Sequence, residues 1–164
     1  MLYNQDCLDK LKEILLRKEQ TLSVAESVTS GHLQAALSSA IDAMRFFQGG
    51  ITAYNAGQKT RHLMVEPIYA KEHDCISEDV AATMARSSNQ LFLSHYAIGI
   101  TGYASKPPGT GITELFAFVA IAKGREVLLV RKLRSEGGNI TQVQVDYTNQ
   151  SLQLLLDLIS ERLK

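Results

Sequence analysis

Ser27 and Lys59 are the residues whose side chains best fit nucleophilic catalysis in this sequence. Ser27 lies in "VAESVTSG" (24–31), and Lys59 closes "TAYNAGQK" (52–59), which also contains Tyr54. A serine hydroxyl is a weak nucleophile until a base takes its proton, and a desolvated lysine can act as that base. Because 32 positions separate the two residues, only the fold can bring them together. The pair is therefore a hypothesis of a Ser-Lys mechanism.

The stretch around Ser27 lies where a predicted strand at 21–25 passes into a predicted helix at 32–40. Backbone N–H groups at such a junction can bind an anion, and those of residues 29–31 could form an oxyanion hole. The same residues also fit an ordinary helix start, since Ser27, Thr29 and Ser30 are all good N-cap residues. The residues alone leave both interpretations open.

The remaining pattern predicts the elements that must position this pair. Helical spacing of leucines precedes residue 21, and further helices are expected at 55–64, from Pro67, from Ser77 and at 140–162. Strands are expected at 46–54 and 96–101, and a hairpin at 115–122 and 126–133. This order predicts one domain over 1–164, a three-layer α/β/α sandwich with a mixed central sheet. Loops leaving strand carboxyl ends commonly form the ligand site, here 26–31, 54–59 and 101–111.

Composition limits the classes of function. The 17 basic and 17 acidic residues balance, so no basic surface for nucleic acid or anionic membrane is expected. Cys7 and Cys75 form no CxxC motif, and the charged, amphipathic N-terminus does not resemble a signal peptide, which favours a cytoplasmic protein with reduced thiols. The four histidines lack metal-site spacing, so no metal is expected. The glycine- and proline-containing stretch 101–113 is either a plain turn-rich loop or a ligand-contacting one.

Four ordered segments resemble the C-terminal domain of the competence/damage-inducible protein (CinA) family. "AESVTSG" is similar to the family's "AESCTGG", and "FFQGGITAYNAGQK" to its strand followed by tyrosine and, five residues later, lysine. "CISEDVAATMA" and "YAIGITGYA" are similar to two further family segments. Together the matches extend over about residues 10 to 160.

The resemblance implies an activity, because stand-alone members of the family are nicotinamide mononucleotide deamidases. It implies hydrolysis of nicotinamide mononucleotide to nicotinic acid mononucleotide and ammonia, without cofactor, by a homo-oligomer. Ser27 would be the nucleophile, Lys59 the base and Tyr54 an orienting or relaying group. The expected substrate-binding residues are Glu26, Thr29, Ser30, Gly31, Asn55, Thr101 and Gly102.

Departures from the family pattern suggest an altered substrate preference. Val28 replaces a cysteine, Ser30 replaces a glycine, and the 102–111 loop is rewritten. "GGN" at 137–139 stands where the family has Gly-Asp-Arg, which removes an arginine that could hold phosphate. The alternative is a catalytically weak or inactive domain of the same fold that binds a nucleotide or a protein.

Overall fold

The computed structural model describes residues 2–161. Its α-helices are α1 (Gln5–Arg17), α2 (His32–Ser38), α3 (Ala56–Leu63), α4 (Pro67–Glu72), α5 (Glu78–Phe92) and α6 (Ile140–Glu161), and a short 3-10 helix lies at Ala43–Arg45. Its strands are β1 (Leu22–Glu26), β2 (Phe47–Thr52), β3 (Tyr96–Gly102), β4 (Leu115–Lys123) and β5 (Glu126–Ser135). The predicted elements are confirmed with small shifts at their ends; residue 162 of the predicted last helix lies outside the described residues.

The five strands form one mixed sheet in the order β2-β1-β3-β4-β5. β1 runs parallel to both β2 and β3, whereas β4 is antiparallel to β3 and β5. The β4–β5 connection is the predicted hairpin, and the parallel pairs need the helical crossovers between them. The mixed α/β fold class is confirmed.

Helices cover both faces of the sheet, which gives the three layers. On one face Leu22 and Val24 of β1 join the main core with buried residues of α1, α2 and α6. On the other face Ala25 of β1 packs with Val80 and Met84 of α5. This alternation follows from the two-residue period of a strand, since successive side chains point to opposite faces.

α5 lies unusually close to the middle of the sheet. A β-carbon placed on Gly99 of β3 would collide with backbone atoms of Ala81 and Ala85 in α5. Both alanines are fully buried, and they form a small core cluster with Ala82, Ala120 and Ala122. Glycine in the strand and alanine on the helix therefore permit this close contact.

Three loops meet at one edge of the sheet because the three parallel strands end there. In the register Glu26 of β1 pairs with Thr52 of β2 and with Ile100 of β3. β1 lies between the other two strands, so Ser27 emerges between the loop after β2 and the loop after β3. The predicted grouping of these loops is confirmed.

We expect Gly99→Ala to lower the free energy of unfolding by about 1–3 kcal/mol, because the added methyl group would force α5 away from the sheet. Urea denaturation followed by circular dichroism measures the change. Gly57→Ala in α3 is the control, since its nearest neighbour would be the Asn55 side-chain oxygen at 3.5 Å, and alanine is the better helix former. Equal effects of the two substitutions would contradict the close-contact explanation.

Candidate active site

Ser27 occupies a sharp turn between β1 and α2. Its backbone N–H donates to the carbonyl of Ile100 at 3.1 Å, and its carbonyl accepts from the N–H of Ser30 at 3.1 Å. Ser30 and Gly31 then adopt left-handed conformations, with φ of 49° and 96°. The turn reverses the chain within a few residues and leaves Ser27 facing outward from the sheet edge.

The Glu26 carboxylate is the group that caps α2. It is fully buried and accepts hydrogen bonds from the Thr29 hydroxyl at 2.6 Å and from the N–H groups of Gly31, Leu33 and Gln34 at 2.9–3.0 Å. The N-cap position, Gly31, makes no side-chain cap. The helix start is therefore satisfied by a carboxylate of the protein itself, and not by a serine, a threonine or a ligand.

This arrangement places part of the expected binding site beneath the turn. Glu26, Thr29 and Gly31 are engaged with one another beneath the turn, and Ser30 points to solvent. None of these four residues lines the cavity described below. They support the turn, and contact of any of them with substrate stays a prediction.

The expected oxyanion hole also changes. The N–H of Ser30 donates to Ser27 and that of Gly31 to Glu26, so neither is available to a ligand. Within residues 2–161 the N–H groups of Val28 and Thr29 have no hydrogen-bond partner, and Val28 lies in the cavity wall. The Val28 amide, directly after the serine, is thus the donor best placed to stabilise an oxyanion.

Lys59 reaches Ser27 from α3. Asn55 is the N-cap of this helix, because its side-chain oxygen accepts from the N–H of Gln58 at 3.0 Å. One turn later the Lys59 side chain is 2% exposed, and its Nζ donates to Ser27 Oγ at 2.8 Å. The fold therefore brings together the two residues that the sequence analysis paired.

Burial makes the Lys59 amine a better base candidate than an ordinary lysine. The loss of solvation lowers the pKa of Lys59, and the nearby Cys75 side chain opposes that shift only in part. Desolvation disfavours the charged ammonium form. When the amine is neutral, its lone pair can accept the Ser27 proton across the same short distance.

A cavity of about 270 Å³ opens above this pair. Its wall includes four predicted site residues besides Ser27 and Lys59: Tyr54, Asn55, Thr101 and Gly102. The hydroxyl of Thr101 is not free, because it donates to the Cys75 carbonyl at 2.7 Å. Tyr54 is 63% exposed, and in the described chain no hydrogen bond joins it to Ser27 or Lys59. Its role as an orienting or relaying group stays a prediction.

The cavity also contains residues that the sequence analysis missed. Asp74 and Cys75 come from the segment between α4 and α5, and Tyr103 follows β3. Tyr103 could have been found, because it lies inside the glycine-rich loop already considered. Asp74 had no such signal, since its segment follows no strand. Gln144 of α6, 116 residues away from Val28, donates to the Val28 carbonyl at 3.0 Å and was equally hidden.

A second, more open groove adjoins the cavity and shares Ala104, Ser105 and Ile140 with it. Residues 137–139, where the sequence departs from the family pattern, line this groove. Asn139 caps α6 by accepting from the N–H of Gln142 at 2.9 Å. Whether these changes alter substrate preference stays a prediction.

No cluster of three or more His, Cys, Asp or Glu side chains suited to a metal occurs within residues 2–161. Over the same residues, no helix combines the length and the apolar composition needed to cross a membrane. The cytoplasmic location, the pyridine nucleotide partner and the homo-oligomer stay predictions.

Fold and site together define an α/β protein with a buried Ser-Lys pair at the carboxyl edge of a mixed sheet. The sequence-family model named CinA C-terminal domain matches residues 4–159, and the chain belongs to that family. A CinA-like protein of Solibacter usitatus is 32% identical over 160 residues, which are 93% of this chain and 36% of that relative. The chain thus spans about a third of the length of this relative.

Solved structures carry the same fold. A competence or damage-inducible protein from Enterobacter asburiae is 26% identical and superimposes with a TM-score of 0.85, covering 92% of this chain and 94% of the other. The competence damage-inducible protein A from Klebsiella pneumoniae gives a TM-score of 0.88 at 22% identity, covering 94% and 96%. The second likeness shows the fold alone.

We expect Glu26→Gln to lower both stability and turnover, because an amide places a donor against N–H groups that need an acceptor. The loss in unfolding free energy should be about 1.5–3 kcal/mol, and kcat should fall at least about tenfold with KM nearly unchanged. Thr29→Val is the control, since it removes one donor and leaves the carboxylate. A Glu26→Gln protein with wild-type stability and kcat would show that the turn does not need this charge.

Proposed function

We propose that this chain hydrolyses a carboxamide, with Ser27 as nucleophile and Lys59 as general base, and that its substrate is nicotinamide mononucleotide. The observation that carries the proposal is the 2.8 Å contact between Lys59 Nζ and Ser27 Oγ, both buried at the floor of a cavity. A nucleophile and a base within hydrogen-bond reach are the minimum requirement for this chemistry.

The steps follow from the positions of the two side chains. Lys59 takes the Ser27 proton as Oγ attacks the carboxamide carbon, and the Val28 N–H stabilises the resulting oxyanion. The Lys59 ammonium then returns the proton to the nitrogen of the departing group, which leaves as ammonia and yields an ester with Ser27. Water, deprotonated by Lys59, attacks the ester, and the acid product leaves as Ser27 regains its proton.

The choice of substrate rests on family membership and on the resemblance of the four sequence segments. The geometry is compatible with it: the cavity has the volume for a single aromatic carboxamide, and the adjoining groove offers space for a ribose phosphate.

The alternative, an inactive binding domain, gains little support from the departures around Ser27. Val28 is 3% exposed and packs in the main core, and Ser30 points away from the cavity. Neither change disturbs the Ser27–Lys59 contact.

Ser27→Ala should abolish ammonia release from nicotinamide mononucleotide while leaving the urea midpoint nearly unchanged, because only the attacking oxygen is lost. A coupled ammonia assay and a binding titration with the same compound separate chemistry from binding. Retained turnover in this variant would remove Ser27 from the mechanism.

Activity should rise with pH, reach half of its plateau at the pKa of Lys59 and level off above it, because only the neutral amine accepts a proton. Burial lowers that pKa, so the midpoint should lie below the ordinary lysine value of about 10.4. The profile of kcat/KM against pH measures it. Lys59→Arg keeps the charge but cannot act as a base, so near wild-type rates in that variant would show that the lysine only binds.

A further inference from the structure

Asp74 is a carboxylate that the mechanism does not use, although it lines the same cavity as Ser27 and Lys59. It and Cys75 are consecutive residues in the left-handed region, with φ of 49° and 60°. Non-glycine residues rarely adopt this conformation, and such strain concentrates at functional sites. The backbone is fixed there, since the Cys75 N–H donates to Ala70 at 2.7 Å and the Cys75 carbonyl accepts from Thr101.

Asp74 has no counter-ion within residues 2–161. In the part of the chain that the structure describes, it makes neither an ion pair nor a hydrogen bond. Among the described residues that line the cavity, only Lys59 and Asp74 belong to the side-chain types, lysine and aspartate, that ordinarily carry a charge near neutral pH. Since Lys59 must be neutral to act as a base, the working cavity has a net negative charge.

Aromatic rings stand beside this charge. Tyr54 and Tyr103 both line the cavity. The Tyr103 ring packs edge-on against Phe116 with centroids 5.5 Å apart, and the Tyr103 carbonyl accepts from the Tyr147 hydroxyl at 3.1 Å. The pKa of Tyr103 is raised, mainly by burial and further by the Asp74 carboxylate, so the field of Asp74 reaches this ring. A carboxylate next to aromatic faces is the combination that recognises organic cations.

We propose that Asp74 is a specificity-determining residue, which makes the cavity prefer a carboxamide borne on a positively charged aromatic ring over the same carboxamide on an uncharged ring. This inference rests on the proposed function, because it takes the carboxamide to lie at Ser27. With the reacting carbon there, the small cavity holds the attached ring in the region that Asp74 also lines.

The preference should be moderate and dependent on salt. Asp74 is exposed, so water screens its charge, and a three- to tenfold effect of the charge on ligand affinity is of about the size found for partly solvated ion pairs. Raising the ionic strength from about 0.01 M to about 0.5 M should reduce it, because the Debye length shrinks severalfold.

Binding measurements with two probes that lack a phosphate test the proposal. The first is nicotinamide riboside, whose ring is a cation, and the second is 1,4-dihydronicotinamide riboside, whose ring is neutral. Calorimetry on Ser27→Ala and on the double variant Ser27→Ala, Asp74→Asn gives dissociation constants without turnover. Asparagine tolerates the left-handed backbone, so the fold is expected to remain. The Kd of the cation should rise three- to tenfold, and that of the neutral riboside should stay within about twofold.

Glu72→Gln is the matched control, since it removes one negative charge two residues away at an exposed position outside the cavity wall. It should leave both constants unchanged. Equal changes for the two ribosides with Asp74→Asn, no change for either, or the same loss with Glu72→Gln would overturn the proposal, as would a failure of the cation to bind.

Ammonia release by the wild-type chain is measured separately. Charge-selective binding that disappears with Asp74→Asn, in a protein that releases no ammonia, would support the role of Asp74 and reject the proposed hydrolysis. Ammonia release without charge-selective binding would do the reverse.

Discussion

The Lys59 amine is buried, and no carboxylate of residues 2–161 pairs with it; the site depends on this constraint. A charged ammonium in that position would lose its hydration and gain, from the part of the chain that the structure describes, one hydrogen bond, to Ser27. Burial therefore favours the neutral amine, which is the form that can act as a base. This requires Asn55 to cap α3 and the helix to hold Lys59 one turn later, with its side chain directed back across the end of β1. The order of strands places Ser27 within reach of Lys59, because β1 lies between β2 and β3.

Glu26, a second buried ionisable residue at this edge, differs from Lys59 because its side chain has many hydrogen-bond partners. The Glu26 carboxylate receives four hydrogen bonds from the turn and from the first residues of α2. Two adjacent residues, Glu26 and Ser27, thus serve different purposes: the first fixes the turn from below and the second faces the cavity. Successive side chains at the end of a strand point to opposite sides, which makes this division possible. The stretch is therefore a helix start, and the same turn also places Ser27 beside Lys59 as the proposed reaction requires.

The sequence predicted the layers and the mixed sheet, because hydrophobic periodicity and strand direction determine them. The pairing of Ser27 with Lys59 was only a weak prediction from the residues and rested mainly on the resemblance to the family. It could not assign the members of the turn. Glu26, Thr29 and Gly31 have the types expected of ligand-binding residues, yet their polar groups are used by one another. Hydrogen-bond partners of this kind depend on local backbone geometry, which composition and spacing do not reveal. Asp74 and Gln144 were hidden for a related reason, since each reaches the site from a segment distant in sequence.

The electrostatic balance of the cavity connects these observations. The Glu26 carboxylate accepts its hydrogen bonds beneath the turn and lies outside the cavity wall. Burial lowers the pKa of Lys59 and so favours its neutral amine. Asp74 remains as the ionisable carboxylate of the described cavity wall, beside two tyrosines. A substrate with a cationic ring would neutralise that charge while its carboxamide lies at Ser27, whereas its acid product would bring a second negative charge into the same small space. Repulsion between that new carboxylate and Asp74 then favours release of the product, so one fixed charge can assist both binding of the cation and departure of the acid.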